Sequence, residues 1–127
     1  MKAGRLSRKR FLAIAETELS AIPKPLRELL VNLTIEVQDE PAGEAEDRDD
    51  ADDLMGLYCG PTRAEMLTGT ASGSLPAKVY LYQRNIEDSA DSMAQLRHEV
   101  RLTLRHELAH HFGFDDSELE RVWPQGA

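Results

Sequence analysis

Two histidines and a glutamate near the C-terminal end of the sequence have the types and the spacing of a zinc site. His106 and His110 are four residues apart, and Glu107 directly follows the first of them. On a helix, residues four apart lie one turn apart on the same side, so both imidazoles can reach one metal ion at about 2.0–2.1 Å. Glu107 is rotated by about 100° from His106, so it can border the metal without binding it. The segment predicts a metal site with a proton acceptor beside it.

A third metal ligand has to come from beyond the helix, because two histidines alone hold Zn²⁺ weakly. Gly113 allows the chain to turn back, since glycine readily adopts the left-handed conformation that ends helices. Asp116 follows six residues after His110 and is the expected carboxylate ligand, and its neighbour Asp115 is the competing candidate. With His106, His110 and Asp116 bound, the fourth position of a tetrahedral ion stays open, as a catalytic zinc requires. We expect one Zn²⁺ per chain.

A long helix has to carry the two histidines. Ser92 and Gln95 are typical of a capping box at a helix start, and Gly113 predicts the end of the helix after Phe112. Apolar residues recur in steps of four along this segment, which predicts one face that packs on a core. These residues are Leu96, Val100, Leu104, Leu108 and Phe112. His111 falls on that apolar side, so we expect it to pack or to support the site rather than to bind metal.

The remaining elements predict an α+β fold. Ser7 can cap a helix that runs to Leu19, and the periodicity of Leu26–Leu30 adds a short helical turn. Alternating or β-branched and aromatic stretches predict strands. They lie at Leu33–Val37, Leu54–Pro61 and Lys78–Gln83. We expect a small mixed sheet of three to four strands, packed on the N-terminal helix and on the long C-terminal active-site helix, with residues 1–127 as one domain.

The net charge of −8 arises from one segment, residues 39–53. This segment contains nine acidic residues and a single basic one, Arg48, whereas the rest of the chain contains 14 basic and 14 acidic residues. It lacks the ligand pattern of an EF-hand calcium loop, and such charge runs are usually solvated. We therefore expect a mobile acidic loop, and no general attraction of the chain to nucleic acid.

The composition also bounds where the protein acts. No apolar run approaches the roughly 18 residues that a membrane span needs, and the basic N-terminus is not followed by the apolar core of a secretory signal. Cys59 is the only cysteine, so an intrachain disulfide is excluded, and lone cysteines usually behave as small buried residues. The sequence predicts a soluble cytoplasmic protein that has no membrane partner.

Residues 106–116, His-Glu-x-x-His-x-x-Gly-x-x-Asp, resemble the metzincin-type zinc motif, with aspartate in place of the more usual third histidine, as in snapalysin-like peptidases. The chain also resembles the small bacterial minimal zincin family. The matching features are the N-terminal helix, Leu-Met-Gly-Leu-Tyr-x-Gly at 54–60, Val-Tyr-Leu-Tyr at 79–82 and His-Glu-x-x-His-His-Phe-Gly at 106–113. This resemblance implies a zincin-like fold and a metallopeptidase activity, and it supplies no substrate.

One feature departs from the larger metzincins, which place a methionine-containing turn beneath the metal after the third ligand. Only 11 residues follow Asp116, and none is methionine. The candidates for a residue beneath the metal are therefore Met55, Met66 and Met93. No lower subdomain follows the motif either, so we expect a shallow cleft that a homodimer or another partner completes.

The function expected from these residues is zinc-dependent hydrolysis of peptide bonds, with Glu107 as the general base. A peptide or protein substrate would pair along a strand edge, either at Leu54–Tyr58 or at Val79–Tyr82. The alternatives are a metal-binding regulatory or interaction module without catalysis, and a metal-dependent endoribonuclease. The ribonuclease sites lack a glutamate after the first histidine and usually lie in a basic groove. Tyr58, Tyr80 and Tyr82 could polarise a reacting carbonyl, but strand tyrosines usually pack.

Overall fold

The computed structural model describes residues 5–30, 33–60 and 77–124, and within these ranges the chain forms an α+β fold. The helices are α1 (Arg8–Ser20), α2 (Lys24–Arg27), α3 (Gln83–Ser89), α4 (Met93–Phe112) and α5 (Asp116–Val122). The strands are β1 (Leu33–Gln38), β2 (Gly56–Cys59) and β3 (Ala77–Tyr82). The predicted fold class, α+β with a small mixed sheet packed on an N-terminal and a long C-terminal helix, is confirmed.

The three described strands form one sheet in the order β1-β3-β2. β1 runs parallel to β3, and β2 runs antiparallel to it. Because β3 is central, Val79–Tyr82 cannot offer an edge to a substrate, and that alternative of the prediction is wrong. Within the described part of the chain, β2 is the edge strand next to the predicted metal site.

Successive side chains of β3 point to opposite faces of the sheet. Val79 and Leu81 are fully buried and belong to the core that the sheet shares with α1 and α4. Tyr80 and Tyr82 lie on the other face, where their rings stack with centroids 6.5 Å apart. The face of the sheet that carries Val79 and Leu81 is therefore the one that packs against α4, the helix that contains His106 and His110.

The start and the end of α4 follow the sequence prediction closely. The Ser92 side chain accepts a hydrogen bond from the main-chain nitrogen of Gln95 at 3.1 Å. The reciprocal bond of the predicted capping box is displaced by one residue, because Gln95 Oε1 accepts from the nitrogen of Asp91. Gly113 ends the helix with φ +74°, in the left-handed conformation expected there.

Several elements differ from the prediction. The helices α3 and α5 were not predicted, and α2 begins at Lys24 rather than Leu26. Residues 39–53 contain two short 3-10 turns, Gly43–Asp47 and Ala51–Asp53, and Ala45 within them is buried. The predicted mobility of this segment stays a prediction. The loop expected at residues 68–74 lies outside the described residues.

Cys59 is exposed, so the expectation of a small buried residue is wrong. It is the last residue of β2, which is an edge strand among the described residues. No helix in the described ranges has the length and apolar character to cross a membrane.

Candidate metal centre

One turn of α4 brings together two of the three predicted metal ligands, His106 and His110, and the predicted general base, Glu107. The ligand atoms of His106, Glu107 and His110 all lie within 4.8 Å of one another. The two imidazole rings are 5.4 Å apart and nearly perpendicular. A tetrahedral zinc ion with bonds of about 2.0–2.1 Å needs ligand atoms roughly 3.4 Å apart, so small side-chain rotations would suffice. The donor set of two imidazoles beside a carboxylate fits Zn²⁺.

The three side chains differ in their exposure. The His106 side chain is 73% exposed and that of Glu107 only 10%. His110 is also exposed. The imidazoles therefore project from α4 towards solvent, whereas the carboxylate is covered by the neighbouring strand.

Strand β2 covers Glu107 at very close range. A Cβ added to Gly56 would lie 2.6 Å from Thr103 Cγ2 and 2.9 Å from the carbonyl oxygen of Tyr80, so only glycine fits at this approach. Two residues further along the strand, the main-chain nitrogen of Tyr58 donates to Glu107 Oε1 at 2.9 Å. The other oxygen, Oε2, lies 3.8 Å from His106 Nε2, beyond hydrogen-bonding distance. One oxygen of Glu107 is thus held by the strand, and the other lies towards the histidines.

His111 is fully buried, and its Nδ1 lies 2.8 Å from the hydroxyl of Tyr58. It lies outside the group of metal-ligating atoms, in agreement with the prediction that it packs or supports the site. The hydrogen bond also engages the Tyr58 hydroxyl, one of the three phenols considered as carbonyl-polarising groups. Tyr80 and Tyr82 lie on the opposite face of the sheet, and burial raises the pKa of Tyr82 to about 12.

Two cavities flank the cluster, and both His106 and Glu107 line each of them. The first, of about 330 Å³, extends along α4 to Glu99 and includes Asp50. The second, of about 420 Å³, extends past Tyr58 and includes Arg48 and Asp50. The acidic segment therefore borders the site, a position that its sequence did not indicate.

Arg48 and Asp50 form an ion pair at the rim of the second cavity. The distances are 3.0 Å from Nε to Oδ1 and 3.3 Å from Nη2 to Oδ2. The guanidinium lowers the pKa of the Asp50 carboxyl by hydrogen bonding and by its charge. Hydrogen bonding and charge from Asp50, with a weaker contribution from the charge of Glu107, raise the pKa of Arg48.

The third predicted ligand lies at the start of α5. Asp116 is the first residue of this helix and is exposed, and its carboxylate is not part of the cluster on α4. Asp115 is the N-cap of α5, and its carboxylate accepts from the nitrogen of Glu118 at 2.8 Å. The Glu118 side chain accepts in return from the nitrogen of Asp115. Asp115-x-x-Glu118 is a capping box that the sequence analysis missed, and Asp116 as third ligand stays a prediction.

Of the methionines considered for a position beneath the metal, Met55 lines the first cavity together with His106 and Glu107. Met93 starts α4 and packs against the core at the far end of the helix from the histidines. Met66 lies outside the described residues. His98 is exposed and lies 2.9 Å from Arg101 Nη2, away from the cluster.

Comparison with known families agrees with this arrangement. The model of the zincin-like metallopeptidases matches residues 30–124, about three-quarters of the chain, from just before β1 to the end of α5. The match contains all the residues of the cluster and the strand that covers Glu107. A comparison with curated proteins finds no match. On this match and on the helix-borne cluster of two histidines and a glutamate, the chain belongs to the family of zincin-like metallopeptidases.

Proposed function

We propose that the protein is a zinc-dependent peptidase in which His106, His110 and Asp116 hold the metal and Glu107 is the general base. The observation that carries this proposal is the cluster on α4, whose ligand atoms lie within 4.8 Å of one another and open on two cavities. Membership of the zincin-like metallopeptidases supports the same chemistry.

Glu107 has the geometry that a proton carrier needs. Bound zinc would polarise the peptide carbonyl and acidify the attacking water. Oε1 of Glu107 is held by the Tyr58 nitrogen, which leaves Oε2, on the side of His106, to accept the proton from that water. The same carboxyl then gives the proton to the amine that leaves.

The position of Asp115 supports Asp116 as the third ligand. Both aspartates are exposed, but the Asp115 carboxylate is engaged in capping α5. We expect Asp116→Ala to weaken zinc affinity by more than the roughly 10–100-fold that outer partners of a metal site contribute. Asp115→Ala is the matched control and should cost about 1 kcal/mol of folding stability while zinc affinity is kept. Zinc titrations that gave the opposite pattern would exchange the two assignments.

The strand β2 is the edge along which we propose that a peptide or protein substrate pairs. It is antiparallel to β3, lies at the edge of the described sheet and covers Glu107 directly. Main-chain groups at such an edge bind extended peptides regardless of their sequence, and because the Tyr58 nitrogen is taken by Glu107, pairing would use the main-chain groups of Gly56. A second copy of the chain or another partner that completes the shallow cleft stays a prediction.

The charges around the site disfavour the ribonuclease alternative. Asp50, Asp53 and Glu99 line the first cavity. Carboxylates at these positions would repel the phosphates of a nucleic acid.

The test compares the wild-type protein with Glu107→Gln. We expect purified wild-type protein to contain close to one equivalent of zinc and to cleave members of a broad peptide library. Glu107→Gln should keep the zinc and lose on the order of 10²–10⁴-fold in kcat, the usual contribution of a general base. Glu99→Gln is the control, because Glu99 lies on the same helix and lines the first cavity without belonging to the cluster. Equal hydrolysis by wild type and Glu107→Gln would rule out the proposed mechanism.

A further inference from the structure

We propose that Tyr58 is a positioning residue that sets the rotation of α4 beneath the edge strand, and so aims Glu107 and the two metal-ligating histidines. Gly56 permits the close approach that this role needs, and His111 is the buried anchor on the helix. The inference rests on the proposed function for its catalytic meaning. The contacts by which Tyr58 holds β2 on α4 do not themselves depend on metal or substrate.

The first contribution is the close approach at Gly56. The Cβ position of this residue is filled by Thr103 Cγ2 at 2.6 Å and lies 3.4 Å from Glu107 Cγ. Any side chain would push β2 away from α4 at the level of the catalytic carboxylate. The strand can therefore pack this closely against the side chains of α4 only because residue 56 is a glycine.

The second contribution is the main-chain nitrogen of Tyr58. The Tyr82 nitrogen donates to the carbonyl oxygen of Met55. Along an antiparallel pair, residues that are hydrogen-bonded to the partner strand alternate with residues that are not, so the main-chain groups of Gly56 and Tyr58 point away from β3. At an edge strand such a donor would otherwise face solvent or a substrate. Here Glu107 Oε1 accepts it at 2.9 Å, so the direction of the carboxylate is fixed by main chain.

The third contribution is the hydroxyl of the same residue. It lies 2.8 Å from Nδ1 of His111, which is fully buried, and the two rings are tilted by 60° with centroids 5.7 Å apart. A hydrogen bond between two such side chains is directional, and its His111 end is shielded from water. The phenol end of Tyr58 is therefore anchored to the helix, as is its main-chain nitrogen.

The two contacts of Tyr58 are one helical turn apart. Glu107 and His111 are four residues apart, and so are His106 and His110. Glu107 directly follows His106, and His111 directly follows His110. The two pairs therefore form adjacent stripes on α4, about 100° apart. Tyr58 contacts both residues of the stripe formed by Glu107 and His111. Because a helix rotates as a unit, these contacts also fix the direction of the stripe formed by His106 and His110. A rotation of α4 that moved the histidines would have to break both contacts.

The first test uses metal-free protein and no substrate. Amide hydrogen exchange at position 58 should be slow in the wild type, and Glu107→Ala should accelerate it at least tenfold relative to the amide of Leu57, which pairs with Tyr80 in the ladder. Unchanged exchange at position 58 would overturn the proposed contact, whatever the protein does as an enzyme.

The second test measures hydrolysis. Tyr58→Phe keeps the ring and the main chain and removes the hydroxyl, and we expect kcat to fall about tenfold while KM changes less than twofold. Tyr80→Phe is the control on the other face of the sheet and should change neither of them. His111→Leu should reproduce the fall in kcat, and His111→Asn, which keeps a polar atom near the position of Nδ1, should restore part of it.

The outcomes separate the two proposals. A fall in kcat that is equal in Tyr58→Phe and Tyr80→Phe, or a kcat of Tyr58→Phe that stays within twofold of the wild type, would overturn the positioning role. A wild-type protein that binds zinc and cleaves no peptide would remove the proposed function, and the exchange measurement would still decide whether Tyr58 docks the strand on the helix.

Discussion

Two glutamates of this small fold are buried to a similar degree and are held in very different ways. Measured over the whole residue, Glu87 on α3 is 3% exposed and Glu107 on α4 is 7% exposed. Glu87 Oε1 accepts from Arg5 at 3.1 Å, and its Oε2 accepts from the nitrogen of Leu6 at 2.8 Å and from Gln83 Nε2 at 3.1 Å. Glu107 accepts one hydrogen bond among the described residues, from the nitrogen of Tyr58.

The comparison shows what distinguishes a carboxylate whose oxygens are both engaged from one that keeps an oxygen available beside a cavity. Both oxygens of Glu87 are engaged, and their donors tie the residues before α1 to α3. At Glu107 one oxygen is engaged, and the residue lines two cavities. A carboxylate has about four acceptor sites, so what matters is the acceptor capacity that remains beside a cavity, and burial alone does not reveal it.

Removal of the metal should have the largest effect, and it should leave the hydrogen bonds of Glu87 intact. We expect a chelator to abolish hydrolysis and, if free zinc had stood at about 100–1,000 times its dissociation constant, to lower the free energy of unfolding by roughly 2.7–4.1 kcal/mol. The chain should stay folded, because α4 is docked by Tyr58 and by the core. Circular dichroism and the amide exchange of Leu6, which Glu87 binds, would verify this. Unfolding of the metal-free protein would instead indicate a structural zinc and favour the non-catalytic module.

The same substitution at both glutamates should separate their roles. Glu87→Gln forces an amide group against donors that need a carboxylate, so we expect the free energy of unfolding to fall by about 2–3 kcal/mol, with zinc affinity unchanged. Glu107→Gln should cost under about 1 kcal/mol, because the amide oxygen can still accept from the Tyr58 nitrogen. Urea denaturation of the two metal-free variants provides the measurement. Equal losses of stability would mean that the two carboxylates are equally structural.

A smaller effect is expected when Glu87 loses only its exposed partner. The Arg5 side chain is 52% exposed, and its charge is shared between Glu87 and Asp88. Arg5→Ala leaves the two nitrogen donors on Oε2, so we expect a loss of about 1 kcal/mol in the free energy of unfolding. If this variant lost as much stability as Glu87→Gln, the charge of the guanidinium rather than the set of hydrogen bonds would hold Glu87.

The smallest effect concerns the ion pair beside Glu107. Arg48 lowers the pKa of Asp50, so the pair stabilises the folded state at neutral pH, and this contribution is lost as the pH falls through that lowered pKa. Both partners are exposed, and salt should screen the pair. We expect acid unfolding curves of wild type and Asp50→Asn to differ slightly at low salt and to coincide at high salt. A large difference that persists at high salt would place Asp50 among the residues that hold the fold.

Local rules account for the elements that the sequence predicted well. Ser7 and Ser92 accept hydrogen bonds from nitrogens three residues later, and Gly113 takes the left-handed conformation, all of which depend on near neighbours. The helix α3 escaped prediction because it follows β3 directly, and its N-cap, Tyr82, offers no side-chain cap. The helix α5 carried a readable capping box, but Asp115 was considered only as a metal ligand.

The sequence by itself determined the part of the site that is local. His106, Glu107 and His110 are brought together by the geometry of one helical turn, so their types and spacing were sufficient to place them. Only the tertiary structure decided that β2 is an edge, that the acidic segment borders both cavities, and that Tyr58 holds Glu107 and His111. The contact of Tyr58 with Glu107 spans 49 positions of the sequence, and its contact with His111 spans 53. Both contacts depend on how the sheet packs on α4, which no local pattern encodes.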